Sequence, residues 1–415
     1  MMKHMENKRG MLITAIIILA VFLFVGIAEQ VAPASWSMLF MVLKKGSIYA
    51  LIAVSMNMLN GFTGLFSLGQ AGFMLLGAYT YGMFTIPAAE RASVYQYFDG
   101  GLIQFALPVP VALVLAGLVA AVFAFLIGLP VLRLKSDYLA IATLGFAEII
   151  RAVFQWNVLG PITNGSNLLR KFPVFQSTIA YFVVVGICVA IVLLLINSSY
   201  GRAFKAIRED EIAAEAMGIN LTRHKMLAFC ISSFFAGIGG ALLAMYQTSV
   251  QAAIFKSAMT YEILLIVVIG GLGSISGSVL ASFLYIACSE WWLRFLDQET
   301  ILTTAGRTQF IVVMAVIFVL LLAMMVFRLV KPKAKSRVPY GVGAGVCGVV
   351  LGWLAYFAST GQTKVPLLRN GFRMVVFSVI IMIVVLFFRR GIMGTKELPD
   401  LFKKRVKTAS EEVAK

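Results

Sequence analysis

The sequence predicts an all-α, polytopic membrane protein with about 10–12 transmembrane helices. Three observations carry that prediction. Of the 415 residues, 60% are hydrophobic and only 13% are charged, whereas a soluble domain carries about 25% charge. The apolar residues gather in blocks long enough to cross a hydrocarbon core of about 30 Å as helices. Blocks such as 310–327 are continuously apolar. They lack the alternation of a barrel strand, and lipid leaves the backbone only helices or closed barrels in which to pair its polar groups.

The predicted spans are 11–28, 46–59, 65–85, 103–129, 138–156, 178–196, 226–247, 261–271, 277–295, 310–327, 340–357 and 372–388. The first follows Lys3, Lys8 and Arg9 but is trailed by Glu29 and Gln30. That leaves a poor cleavage site, so an uncleaved helix is expected rather than a signal peptide. Polar residues interrupt 46–59 and 138–156, and 261–271 is short enough to be a half-helix.

The formal net charge of +17 does not call for nucleic acid, because basic residues collect in the cytoplasmic loops of membrane proteins. With both termini cytoplasmic, alternation puts every dense basic cluster on one side. These are Arg133 and Lys135; the loop 198–225; the stretch 328–337; and the tail from Arg389. The agreement requires 261–271 and 277–295 to be two crossings. Lys44, Lys45, Arg170 and Lys171 then lie outside, as exceptions.

Chemistry-bearing residues are sparse. Cys188, Cys230, Cys288 and Cys347 sit inside apolar blocks without metal-like spacing, and the two histidines are His4 and His224. With no HExxH and no paired Asp motif, a membrane enzyme has little support. No GxxxxGK[ST] phosphate loop occurs, so an ATP site of that kind is absent from this sequence. A self-sufficient secondary transporter would show ion-coupled intramembrane charges and repeated halves, and neither is evident.

The segment 198–220, SSYGRAFKAIREDEIAAEAMGIN, is the one long, charge-rich, helix-prone stretch between spans. Ser198 or Ser199 is placed to cap its start, and Gly218 to end it in a left-handed conformation. Phe204, Ile207, Ala214 and Met217 mark an apolar face; Arg202, Lys205, Arg208, Glu209, Asp210 and Glu215 mark the others. Two readings stand: a helix lying on the lipid surface, or a docking helix for a cytoplasmic protein. The acidic run 209–211 argues against lipid, since an anionic leaflet would repel it.

This segment resembles the coupling loop of ABC-importer permeases, with its Glu-Ala-Ala core followed by glycine, in the version of the branched-chain amino acid (LivM-type) permease family. Other stretches resemble that family in the same order: SMNMLNGFTGLFSLGQAGFMLLGAYTYG from Ser55, DYLAIATLGFAEIIR from Asp137, TNGSN from Thr163, HKMLAFCISSFFAGIGGALLAMY from His224 and GGLGSISGSVLASFLY from Gly270. The resemblance covers about 40–295 and returns at 368–394, ending in RRGIMG.

The resemblance implies an ABC-importer permease fold with a core at 11–296 and a last core helix at 367–394. The inserted hairpin 297–366, the N-terminus 1–10 and the tail 395–415 flank these. It implies an importer for leucine, isoleucine and valine, or a relative serving urea, amides or nucleosides, in a bacterial inner membrane. Its partners would be a second related permease, two ATP-binding cassette subunits and an extracytoplasmic substrate-binding protein, besides membrane lipid. This chain would hold no cofactor; ATP and Mg would sit on the cassette subunits. ATPase-coupling contacts carried over are Gly201, Arg202, Arg208, Glu209, Asp210, Glu215 and Gly218. Thr163–Asn167 would face the binding protein, or is simply a polar turn.

Small residues at 67 and 71, and at 78 and 82, allow close helix approach, as do Ala236, Gly240 and Ala244. Asn57, Asn60, Thr63, Ser67 and Gln70 either line the translocation path or hydrogen-bond between helices. Gly270, Gly271, Gly273 and Ser274 interrupt an apolar run, as a gate-like break or as a tight turn between spans. Glu148 and Arg151, three apart, can pair on one helical face. Glu262 and Glu290 have no evident partner in their own segments. Relatives often have proline where Arg390 stands, and they lack the segment 297–366.

Overall fold

The computed structural model describes residues 20–30, 36–134, 136–293, 348, 352, 356, 377–378, 391–394 and 397–398. The predicted span 310–327 lies outside the described residues, as do all but isolated positions of 297–366 and of the last two spans. The chain divides into two compact units: Met1–Trp291 with Ile381–Lys415, and Trp292–Ile380. The elements below belong to the first, up to Trp291.

They run in chain order as α1 Ala20–Gln30, α2 Ser37–Asn57, α3 Gln70–Thr85, α4 Ala88–Val94, α5 Val109–Val131, α6 Ser136–Gln155 and α7 Gly160–Thr163. Then come α8 Thr178–Asn197, α9 Ser199–Glu209, α10 Glu211–Ala216, α11 Leu221–Gln247, α12 Ser257–Gly270 and α13 Ile275–Ile286. α2 passes into a π-helical turn, Met58–Phe62, and α13 into another, Ala287–Trp292. A two-residue antiparallel ladder joins β1 Leu169–Arg170 to β2 Ser249–Val250. Among the described residues, five stretches are long and apolar enough to cross a membrane: Ser37–Phe62, Val109–Val131, Tyr138–Gln155, Thr178–Asn197 and Leu221–Gln247.

α2 is the central rod. Every residue from Gly46 to Asn57 is buried, the signature of a helix packed on all sides. α11 and α3 meet backbone to backbone: a side chain at Gly77 would overlap the Gly237 carbonyl, and one at Gly240 would overlap the Met74 carbonyl. α5 closes on α11 through Gly117, which accommodates the Phe234 ring. The outer helices present the opposite pattern. Val183, Ile187, Ile191 and Leu194 are exposed along α8, and Val111, Val114, Leu118 and Val122 along α5. Apolar residues on the outside and small ones between helices are what lipid as a solvent selects.

Two predicted span starts shift for identifiable reasons. α5 begins at Val109 rather than 103, with Pro108 at its cap and a proline in its first turn, where the missing N–H costs nothing. α2 begins at Ser37, nine residues before the predicted 46, because Lys44 and Lys45 lie inside the helix instead of in a loop. The Lys44 ammonium donates to the Gln176 carbonyl at 2.6 Å. Lys45 pairs with Glu290 at 2.5 Å and sits 5.8 Å from the Tyr49 ring centroid. Glu290, in the π-turn that follows α13, thus pairs with the neighbouring helix α2.

That pair gives a first prediction. Lys45→Met leaves a half-buried carboxylate without its ammonium, so it is expected to destabilise the protein by about 1–3 kcal/mol. The double variant Lys45→Met/Glu290→Leu should recover part of the loss in thermal midpoint. Equal midpoints for single and double variants would count against the pair.

Candidate functional site

The charge-rich segment forms two helices rather than one. α9 ends at Glu209, and Asp210 adopts an extended backbone (φ −158°, ψ 115°) whose side chain caps α10, accepting from Ile212 N at 2.9 Å and Ala213 N at 3.1 Å. An Asp satisfies orphan N–H groups at a helix start better than it continues a helix. At the far end Gly218 is left-handed (φ 86°), and the Ile219 N–H returns to the Ala214 carbonyl at 3.1 Å, as the sequence predicts. Ser198 occupies the cap position of α9, yet its hydroxyl donates backwards to Leu195 O at 2.6 Å.

The predicted apolar face is right for α9 and wrong for the end of α10. Phe204, Ile207 and Ala214 are buried, whereas Met217 is 83% exposed because the turn at Asp210 rotates the second helix. Ile212 is 81% exposed beside it. Phe204 and Tyr200 pack near the His224 ring, with centroids 6.4 Å and 6.1 Å away. Lys225 of α11 pairs with Glu211 at 2.6 Å. The result is a short, braced rod with two bare apolar side chains flanked by Asp210 and Glu215.

Of the seven coupling residues carried over by resemblance, Arg202, Arg208, Glu209, Asp210, Glu215 and Gly218 are exposed. Gly201 is buried, and any side chain there would overlap the Ile196 carbonyl. The missing side chain lets α9 lie close against the end of α8. Arg208 turns towards the bundle: its Nη1 donates to the Gly61 carbonyl in the π-turn of α2. Glycines make room for it. A methyl at Gly273 would stand 2.8 Å from Nη1, and one at Gly64 would stand 3.2 Å from Cγ. Lys205 lies 5.6 Å from the Phe62 ring centroid. Thus α9 grips the π-turn at two points.

The five candidate path residues are all buried and all bonded within the protein. Asn57 is the hub: its Nδ2 donates to Gly271 O (3.2 Å), Ser274 O (2.9 Å) and Ser278 Oγ (2.7 Å), and its Oδ1 accepts from Gly273 N at 2.9 Å. Asn60 closes the loop after the π-turn through Ser67 N and O. Thr63 donates to Met58 O at 3.1 Å, and Gln70 donates to Ser55 Oγ at 2.6 Å. Their side chains thus hydrogen-bond between and within segments.

The stretch Gly270, Gly271, Gly273 and Ser274 joins α12 to α13 as a tight turn. Gly271 and Gly273 have φ of 115° and 90°, values that a side chain would strain. A side chain at Gly270 would press on the Gly277 backbone, at 2.6 Å. Ser274 caps α13 by accepting from Gly277 N at 3.0 Å. With 14 residues, α12 rises about 21 Å, less than a full hydrocarbon core. Its first turn is tied to α6 through Glu148, which accepts from Ser257 N at 3.2 Å and pairs with Arg151 at 2.6 Å.

At the opposite end of the bundle, Thr163, Asn164 and Gly165 are buried rather than displayed. Asn164 is left-handed (φ 61°), and its amide donates to Val94 O and Leu168 O, both at 3.1 Å. TNGSN is therefore built as a polar turn. Nearby, the ammonium of Lys171, bonded to Glu90 at 2.5 Å, holds that exposed carboxyl below the usual range, with Ser93 adding to the effect. The pair's contribution is full above the ordinary carboxylate pKa and is lost as pH falls through the lowered one.

The sequence marks Arg208 as part of the charged surface, which its exposure matches, but not its reach to Gly61, and it does not mark Glu397. Glu397 lies in a basic tail, yet its carboxylate accepts from Ile275 N at 2.7 Å and Ser276 N at 2.9 Å. Its signal in the sequence is faint: an isolated acid beside Lys396, with nothing to say which helix start it meets.

Residues 38–329 match the family model described as the branched-chain amino acid transport system / permease component. The chain is 33% identical over 294 residues to the Salmonella typhimurium protein named high-affinity branched-chain amino acid transport system permease protein LivM, covering 62% of this chain and 64% of that one. The protein of the same name from Escherichia coli K12 gives the same figures. A probable branched-chain amino acid transport permease protein LivM from Methanocaldococcus jannaschii is 24% identical over 277 residues, covering 61% of this chain and 80% of its own. The chain thus spans a little under two thirds of the two bacterial relatives. No solved structure matches.

Proposed function

Because this chain belongs to the family of branched-chain amino acid transport permease components, we propose that it forms half of the membrane pathway of an ABC importer for leucine, isoleucine and valine. Its membrane is the bacterial inner membrane, and both termini face the cytosol. The other half is a second related permease, two ATP-binding cassette subunits supply the work, and an extracytoplasmic binding protein delivers substrate. ATP and Mg belong to the cassette subunits; this chain carries out no hydrolysis of its own.

The observation that carries this reading is the α9–α10 rod. It offers Ile212 and Met217 outward beside acidic groups, a pattern that suits a groove on a partner and not an anionic lipid surface. It also reaches inward, through Arg208, to the π-turn of the central helix. A π-turn departs from the regular i→i−4 ladder, and here the Gly61 carbonyl accepts the guanidinium. When the cassettes close on ATP, the rod is displaced and Arg208 draws on Gly61. Asn57, next to the π-turn, holds the α12–α13 turn through four hydrogen bonds. One displacement therefore reaches α2, α12 and α13 together, which alternating access demands.

The test is reconstitution of the four-part membrane complex in proteoliposomes. Leucine-loaded binding protein is expected to raise ATP hydrolysis and drive uptake, whereas this subunit alone hydrolyses nothing. Failure of the chain to co-purify with any ATPase would overturn the proposal.

A further inference from the structure

Two segments far apart in sequence close on the glycine turn between α12 and α13 from different sides. One is Arg208. The other is residues 391–394 and 397–398, which the mechanism above does not use.

This stretch caps both helix ends at once. The Ile392 N–H donates to Ile269 O at 2.8 Å and the Met393 N–H to Gly270 O at 3.2 Å, satisfying carbonyls that the end of α12 leaves open. Gly391 and Gly394, both at positive φ (69° and 61°), lie against Gly271 with backbone on backbone. A side chain at Gly271 would overlap Gly394 O, and one at Gly391 would come 2.7 Å from Gly271 Cα. Three residues on, the Glu397 carboxylate takes the first N–H groups of α13, Ile275 at 2.7 Å and Ser276 at 2.9 Å, and also accepts from the Ser276 hydroxyl. The Leu398 N–H returns to Ser276 Oγ at 2.9 Å. A carboxylate at a helix N-terminus is held by both the open N–H groups and the helix dipole. A cavity of about 470 Å³ lined by Lys205, Arg208, Gly273, Ile275 and Glu397 lies between this strap and α9.

A turn built on two glycines at positive φ would otherwise be a weak point. Force applied at Gly273 would bend it before it moved either helix. We propose that 391–394 with 397–398 is a splint that makes α12, the turn and α13 one rigid body, with Glu397 as the positioning residue that locks it. Resting on the proposed function, this assigns the tail a part in energy coupling. Motion of α9 passes to α2 at the π-turn, through Arg208–Gly61 and Lys205–Phe62 beside the cavity, and does not bend the splinted turn.

The experiment uses the full reconstituted complex with Cys188, Cys230, Cys288 and Cys347 replaced by alanine, and compares leucine taken up per ATP hydrolysed. Glu397→Ala is expected to lower that ratio by about fivefold or more, while the complex still assembles. A purely structural role would lower uptake and hydrolysis together and leave the ratio unchanged. The pair Ser276→Cys/Glu397→Cys should be uncoupled when reduced and regain the parent ratio once copper phenanthroline closes the disulfide. Closure that blocks uptake would mean the strap must open, and would overturn the splint. So would failure of the disulfide to form, or a Glu397→Ala ratio equal to the parent's. The proposed function fails separately, if the parent complex itself shows no hydrolysis stimulated by binding protein.

Discussion

Replacing Gly240 with valine is expected to abolish the folded protein. A side chain at that position overlaps the Met74 carbonyl, and the reciprocal contact places Gly77 on the Gly237 carbonyl. Both obstacles are backbone, so no rotamer change relieves them. α3 and α11 would have to separate, and with them the packing around α2. Overpacking against movable side chains costs about 1–3 kcal/mol, and a rigid backbone contact at the centre of the bundle should exceed that range. The check is the yield of monodisperse protein in detergent, together with its thermal midpoint. Gly145→Ala is the matched control: nothing lies within 4 Å of the added methyl, so it should behave as the parent. A Gly240→Val protein of parental yield and midpoint would refute the close approach of these two helices.

Arg208→Ala is expected to leave the complex assembled and hydrolysing ATP while uptake falls by roughly 10- to 100-fold. The estimate follows from the guanidinium's bond to the Gly61 carbonyl, since a hydrogen bond from a charged group contributes about 1.5–3 kcal/mol. Docking survives because Ile212 and Met217 are untouched. Arg208→Lys should recover only part of the loss, because a point charge on a shorter stem lacks the planar fork. Uptake and hydrolysis measured in the same vesicles decide it. Parallel loss of both would make Arg208 a residue of assembly, not of transmission.

What the sequence disclosed and what it withheld divide along physical lines. α8 was legible almost to the residue, Thr178–Asn197 against an expected 178–196, because its apolar run is unbroken and Ser177 caps it, accepting from Ile179 N. The start of α2 was not, because Lys44 and Lys45 look like a loop until Glu290 and the Gln176 carbonyl are seen to meet them. The coupling segment was found from its charge and its glycine end, but its break at Asp210 was not. Asp reads as a surface charge in a helical pattern and as a cap only when its backbone is known to be extended. Asn57 and Gln70 were legible as polar residues at membrane depth, but their partners come from helices more than ten residues away in sequence, in Asn57's case from α13. Arg208 shows the same limit: it is exposed, as a residue of the charged face should be, but spacing does not reveal that its Nη1 reaches the Gly61 carbonyl.

The account rests on α10 facing the cytosol against an ATP-hydrolysing partner. Single cysteines at Ile212 and Met217, in the background lacking the native four, test it by membrane-impermeant thiol labelling of oriented vesicles and by cross-linking in the assembled complex. The account predicts labelling from the cytosolic side alone, protection on assembly, and cross-links to the cassette subunit. Labelling from the outer side alone, or unchanged labelling with no cross-link once the complex is assembled, would contradict it.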